Sequence, residues 1–118
     1  MLSSERLCEL VAEGMLEKKA SDVVILDLRK IPHAIADFFV IGSGNSDTQI
    51  DAISDSIQDF VKTKAEQKPW RTEGERVREW ILIDYVDVVA HVFNKDKREF
   101  FALEELWGDA VVKTYAES

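Results

Sequence analysis

Ile50, Ile53, Ile57, Phe60 and Val61 recur at i, i+3 and i+7 with aspartates and lysines opposite, so the chain from Ser46 to about Glu66 must bury one stripe of an amphipathic helix. Ser46-x-x-Gln49 opens that helix as a capping box, a hydroxyl cap with an amide three residues on, and Pro69 lies beyond its end. Two short, wholly apolar runs precede it. Val23-Val24-Ile25-Leu26 is bounded by Ser21-Asp22 and Asp27, and Phe38-Phe39-Val40-Ile41 is ended by Gly42, Gly44 and Asn45. Their length and branching suit strands buried on both faces, which a sheet has only when helices cover it.

The remaining elements follow the same logic. Ser3-Ser4 caps a first helix carrying Leu7, Leu10, Val11 and Met15 to about Lys19. After Pro69, Trp70 to Glu73 reads as a strand stopping near Gly74. Trp80 to Asp84 and Val88 to Phe93 read as a hairpin linked at Tyr85-Val86. Phe100, Leu103, Leu106 and Trp107 form a last helical segment ending at Gly108. The order is helix, strand, strand, helix, three strands, helix. A crossover helix and a closing hairpin together predict an α/β (α+β) fold, a mixed sheet of about five strands flanked by helices. With 118 residues and no repeat, linker or low-complexity tract, residues 1–118 make one domain.

Composition removes several function classes. A hydrophobic fraction of 46% with 32% charged residues suits a globular chain, and no apolar run nears the ~20 residues that cross a bilayer. The N-terminus, with Glu5 and Glu9, has the pattern of neither a signal nor a transit peptide, which predicts a cytoplasmic protein. Cys8 stands alone, so internal disulfides and multi-cysteine zinc sites are out, and its helical setting predicts a small buried hydrophobe. A net charge of −8 opposes nucleic-acid binding, which relies on Lys and Arg at phosphates. It suits a basic protein partner, or solubility alone.

Candidate chemistry is sparse. Gly42-Ser43-Gly44-Asn45-Ser46 lies between a buried strand and a capped helix, where anion-cradling loops occur. It lacks the P-loop ending and the dinucleotide spacing, and a positive-φ turn before a capped helix accounts for its glycines. A nucleotidyltransferase-like enzyme would want two strand carboxylates two apart, whereas Asp84 and Asp87 are three apart. On a strand they face opposite ways, and across a tight turn they only frame the hairpin. His33 and His91 have no cluster to complete a zinc site or a triad, and His91, inside a strand, suits a hydrogen-bonded structural role. No cofactor, metal or catalytic residue is expected. In Trp80-Ile81-Leu82-Ile83-Asp84 both alternating faces are apolar. The second face is either a docking surface anchored by Trp80 and Tyr85 or one covered by another helix; the residues alone leave both open.

An ordered set of segments carries a resemblance. Val24-Ile25-Leu26-Asp27, Ala36 to Ile41, Gly44-Asn45-Ser46, Glu73-Gly74, Trp80 to Tyr85, Asp87 to Phe93, and Arg98 to Phe101 running into Leu103 to Ala110 together resemble the Iojap-related ribosomal silencing factors. The match spans nearly the whole chain, with Val86 where many relatives have Gly; a branched residue tolerates positive φ poorly, so the hairpin turn is expected to differ locally. The resemblance implies a fold distantly like the nucleotidyltransferases without their metal carboxylates. It implies binding to the large ribosomal subunit through its fourteenth ribosomal protein, blocking of small-subunit joining, and repression of translation when nutrients are short. Organelle relatives act in large-subunit assembly, and family members often self-associate as homodimers. Carried over residue by residue, the interface comprises Trp80, Leu82, Asp84, Tyr85 and Asp87, with Glu73 and Arg98 as supports.

Overall fold

A computed structural model describes residues 2–101 and 111–114. Ser3 starts the first helix, its hydroxyl accepting the Arg6 N–H at 3.1 Å, and α1 runs Ser4–Glu17. The stripe-bearing helix α2 spans Asp47–Ala65 and stops at Glu66, whose φ of 54° breaks the helix. The capping box forms with one change. Gln49 N–H donates to Ser46 Oγ at 3.1 Å, but the Gln49 amide oxygen accepts from Asn45 N–H at 2.7 Å, one residue before the cap. The same amide donates to the Lys18 and Lys19 carbonyls at 3.2 and 3.1 Å. One side chain thus ties the end of α1 to the start of α2.

The two helices meet almost backbone to backbone. A Cβ on Gly14 would sit 2.9 Å from Ile57 Cα, and Ser56 Oγ donates to the Gly14 carbonyl at 2.7 Å. This close crossing forms a helical layer that covers one face of the sheet. Its core joins Leu10, Val11 and Met15 of α1 and Ile50, Ile53 and Ile57 of α2 to Val40, Ile81, Ile83, Val88 and Val92.

Among the described residues the sheet has six strands in the order β3-β4-β5-β2-β1-β6. They are β1 (Ser21–Asp27), β2 (Phe38–Gly44), β3 (Arg71–Glu73), β4 (Trp80–Asp84), β5 (Val88–Asn94) and β6 (Val111–Thr114). β2 and β5 run parallel, as a crossover through α2 requires, and every other pairing is antiparallel. The mixed α+β sheet with flanking helices is therefore present, and β4–β5 is the expected hairpin. β6, against β1, adds a strand that the periodicity did not reveal. A short helix α3 occupies Lys95–Phe101. Leu103, Leu106, Trp107 and Gly108 of the expected last helix lie outside the described residues.

One expected loop is strand. Gly42, Ser43 and Gly44 pair with Val92, Phe93 and Asn94 of β5, and neither glycine has a positive φ. They are there for space. A Cβ on Gly42 would meet Met15 Sδ at 2.7 Å, and one on Gly44 would meet Ile50 Cγ1 at 2.9 Å. Both glycines let the helices lie close on the sheet.

Candidate functional site

Strand β4 divides its side chains between two environments. Ile81 and Ile83 are sealed under the helices, whereas Trp80, Leu82 and Asp84 point to the opposite face and stay half-buried. On that face Trp80 and Leu82 pack with a second, smaller core of Leu26, Leu28, Phe39, Ile41, Val89 and Phe93. The alternating residues of β4 thus face the larger core on one side and a half-buried layer with its own smaller core on the other.

Trp80 is held tightly within this layer. Its ring stacks on Phe93, centroids 5.2 Å apart, and Nε1–H donates to His91 Nδ1 at 2.9 Å. Accepting there fixes the ring proton on His91 Nε2, which is buried and has no partner among the described residues. Leaving that group unsatisfied costs about 1–3 kcal/mol. His91 is 3% exposed, and burial pushes its pKa down from the ordinary 6.5 to about 3. The sequence-level expectation of a hydrogen-bonded structural histidine therefore holds.

A pH dependence follows. The folded pKa lies below the unfolded value, so as pH falls through about 6.5 the unfolded chain takes up a proton that the folded chain refuses. This one group should remove about 2 kcal/mol of stability between pH 6.5 and 5. Urea unfolding across that range should show the loss in the native chain and a flatter profile in His91→Phe; equal slopes in both would contradict it.

The charged side chains flank the aromatic row. Arg71 Nη1 meets Glu73 Oε1 at 3.1 Å, and Arg71 Nε meets Asp84 Oδ2 at 3.4 Å. Asp84 Oδ1 accepts the Val86 N–H at 2.7 Å, and Asp87 is exposed in the turn. Asp84 and Asp87 frame the hairpin. Among the described residues no group of three or more His, Cys, Asp or Glu side chains is placed to hold a metal ion. Nor, among them, is any helix long and apolar enough to cross a membrane.

Two of the expected contact residues stand elsewhere. Tyr85 is only 6% exposed and belongs to the helix-side core. Its hydroxyl is buried with no partner among the described residues, and burial raises its pKa above the usual phenol value. Tyr85 is a core residue, so its assignment as an anchor is corrected. Arg98 is half-buried and reaches back into the fold. Its Nη1 donates to the Asp22 carbonyl at 2.6 Å and to Ser43 Oγ at 2.9 Å. It braces the end of β2 where β1 bulges, between Ser21 and Val24.

Other exposed residues extend the open face beyond the expected set. Ile35, Trp70 and Val86 are 78%, 69% and 57% exposed, and with Asp84 and Val89 they line a cleft of about 270 Å³. Trp70 N–H donates to the Asp84 carbonyl at 2.7 Å, which brings this cleft to the end of the Trp80–Leu82–Asp84 row. The Arg71 guanidinium lies 5.3 Å from the Trp70 ring centroid. Trp70, which the sequence reads as the first residue of a strand, lies just before β3.

The turn beside the cleft is strained. Val86 takes a φ of 75° while Asp87 N–H bonds back to the Tyr85 carbonyl at 3.0 Å, a γ-turn about a branched residue. The positive φ was expected to be avoided here, and it is not: the Asp84 carboxylate and the β4–β5 register hold it. Val86→Gly should raise stability by about 1 kcal/mol in urea unfolding, because relief of the strain exceeds the added entropy of the unfolded chain. A loss of stability would contradict that reading.

Comparison with known proteins agrees with this fold. The family described as ribosomal silencing factor during starvation matches residues 2–118. The ribosomal silencing factor of Halalkalibacterium halodurans is 41% identical over 109 residues, covering 92% of each chain. A crystal structure of a Chromobacterium violaceum protein superposes with a TM-score of 0.85 at 29% identity, covering 91% of this chain and 88% of the other. A mouse protein named for mitochondrial assembly of the ribosomal large subunit is 26% identical over 103 residues, covering 84% of this chain and 44% of its own length. The chain belongs to the ribosomal silencing factor family.

Proposed function

We propose that this protein binds the large ribosomal subunit through its fourteenth ribosomal protein and, by filling that place, keeps the small subunit from joining. Translation is thereby repressed when nutrients are short, in the cytoplasm and without catalysis. The observation that carries the reading is the row of Trp80 and Leu82, half-buried on the sheet face opposite α1 and α2 and bordered by Glu73, Asp84 and Asp87. An aromatic and an aliphatic anchor ringed by carboxylates suit a basic protein surface, and the net charge of −8 steers the encounter. Ile35, Trp70 and Val86 extend the contact beyond the row. Steric obstruction needs affinity and placement only.

Two further features belong to the same reading. The protein forms a homodimer off the ribosome, and a role in large-subunit assembly, for which the mouse relative is named, draws on the same contact. Sedimentation tests the reading directly. The protein should travel with purified large subunits and with the isolated fourteenth ribosomal protein, and not with small subunits. Migration with small subunits alone, or with neither, would refute it.

A further inference from the structure

We infer that His91 is a positioning residue for Trp80: by accepting the indole N–H at Nδ1 it fixes the ring in the orientation that a partner meets. This rests on the interface reading above. The geometry is cross-strand. Trp80 stands opposite Phe93, and His91 stands opposite Leu82, so the imidazole lies diagonal to the indole on the same face. The indole N–H points inward to Nδ1 at 2.9 Å while the ring lies on Phe93 at 26°. Phe39 meets the imidazole edge-on, centroids 4.6 Å apart, and holds it from the other side. His91 is 3% exposed, and the fold around it is tightly determined.

A purely space-filling role does not explain a histidine at this position. Phenylalanine or leucine would fill a comparable volume next to Phe39 and Phe93 without a buried Nε2–H that has no partner among the described residues. What histidine supplies that those residues cannot is an acceptor for Trp80. An unheld indole would rotate to bring its N–H to water, turning a polar edge toward the partner. With the N–H satisfied internally, the indole has no donor left for the interface. The part of the ring that a partner touches is then apolar, and the partner group seated on it is an aliphatic or aromatic side chain rather than a hydrogen-bond acceptor.

A double-mutant cycle with His91→Phe and Trp80→Phe tests this, using purified large subunits as the binding probe and exchange of the indole N–H by NMR as a second readout. His91→Phe should speed exchange of the Trp80 indole N–H by about tenfold or more and weaken binding by about fivefold. In a Trp80→Phe background the same change should alter binding by less than about twofold, since no indole remains to be held. Equal losses in both backgrounds, or no loss beside Trp80, would overturn the inference. So would unchanged indole exchange. His91→Leu serves in the same cycle if the phenylalanine variant does not fold. If the unsubstituted protein fails to bind large subunits, the interface reading falls, and indole exchange still decides whether His91 holds the ring.

Discussion

Trp80→Ala should weaken binding to the large ribosomal subunit by roughly thirtyfold or more while the protein remains folded. Truncating a central aromatic anchor commonly removes ~2 kcal/mol or more of binding, which sets that ratio. Trp80 combines accessibility with fixed geometry: half-buried, stacked on Phe93 and bonded to His91. Little ordering of this side chain remains to be done on binding. Tyr85→Phe provides the contrast. Tyr85 is sealed in the helix-side core, and its hydroxyl has no partner among the described residues, so that change should leave binding within about twofold. Quantitative co-sedimentation measures both. A Trp80→Ala variant that folds and binds normally would remove the β4 row from the interface.

Gly74→Ala should cost about 3 kcal/mol of stability, or about 10 °C in Tm. Gly74 follows β3 with a φ of 86°, a conformation that L side chains rarely adopt. A Cβ there would also collide with the backbone carbonyl oxygen of Trp80, which cannot swing aside as a flexible side chain would. The two penalties add because one is intrinsic to the residue and the other comes from its neighbour. Relief would require moving the start of β4, so the substitution should also disturb Trp80 and weaken large-subunit binding. Thermal unfolding checks the first effect; a loss under about 1 kcal/mol would show that the β3–β4 connection yields more easily than its geometry indicates.

The periodic elements were legible in the sequence because burial imposes a period. The stripe from Ile50 to Val61 marks α2, the Ser46–Gln49 capping box and Pro69 bound it, and the branched runs mark the central strands. Parity along β4 also carried the answer for Tyr85. As an odd position after Ile81 and Ile83 it shares their face, whereas its residue type and the family resemblance point to an anchor. Gly42 and Gly44 read as loop residues in the sequence but stand in β2 for a different reason. Glycine signals either a turn or a close approach, and only the crossing of α1 and α2 over the sheet decides for space. Ile35 could not be placed in the cleft from sequence, because its exposure depends on the path of an irregular segment with no period of its own, and Trp70 because the strand read from Trp70 begins only at Arg71.

Subunit joining, followed by light scattering with purified large and small subunits, is the most direct measurement of the central claim. Preincubating large subunits with this protein should suppress joining in proportion to the fraction bound, and Trp80→Ala at the same concentration should restore it. Joining that proceeds unhindered on large subunits saturated with the protein would contradict the account, as would equal suppression by the native chain and by Trp80→Ala.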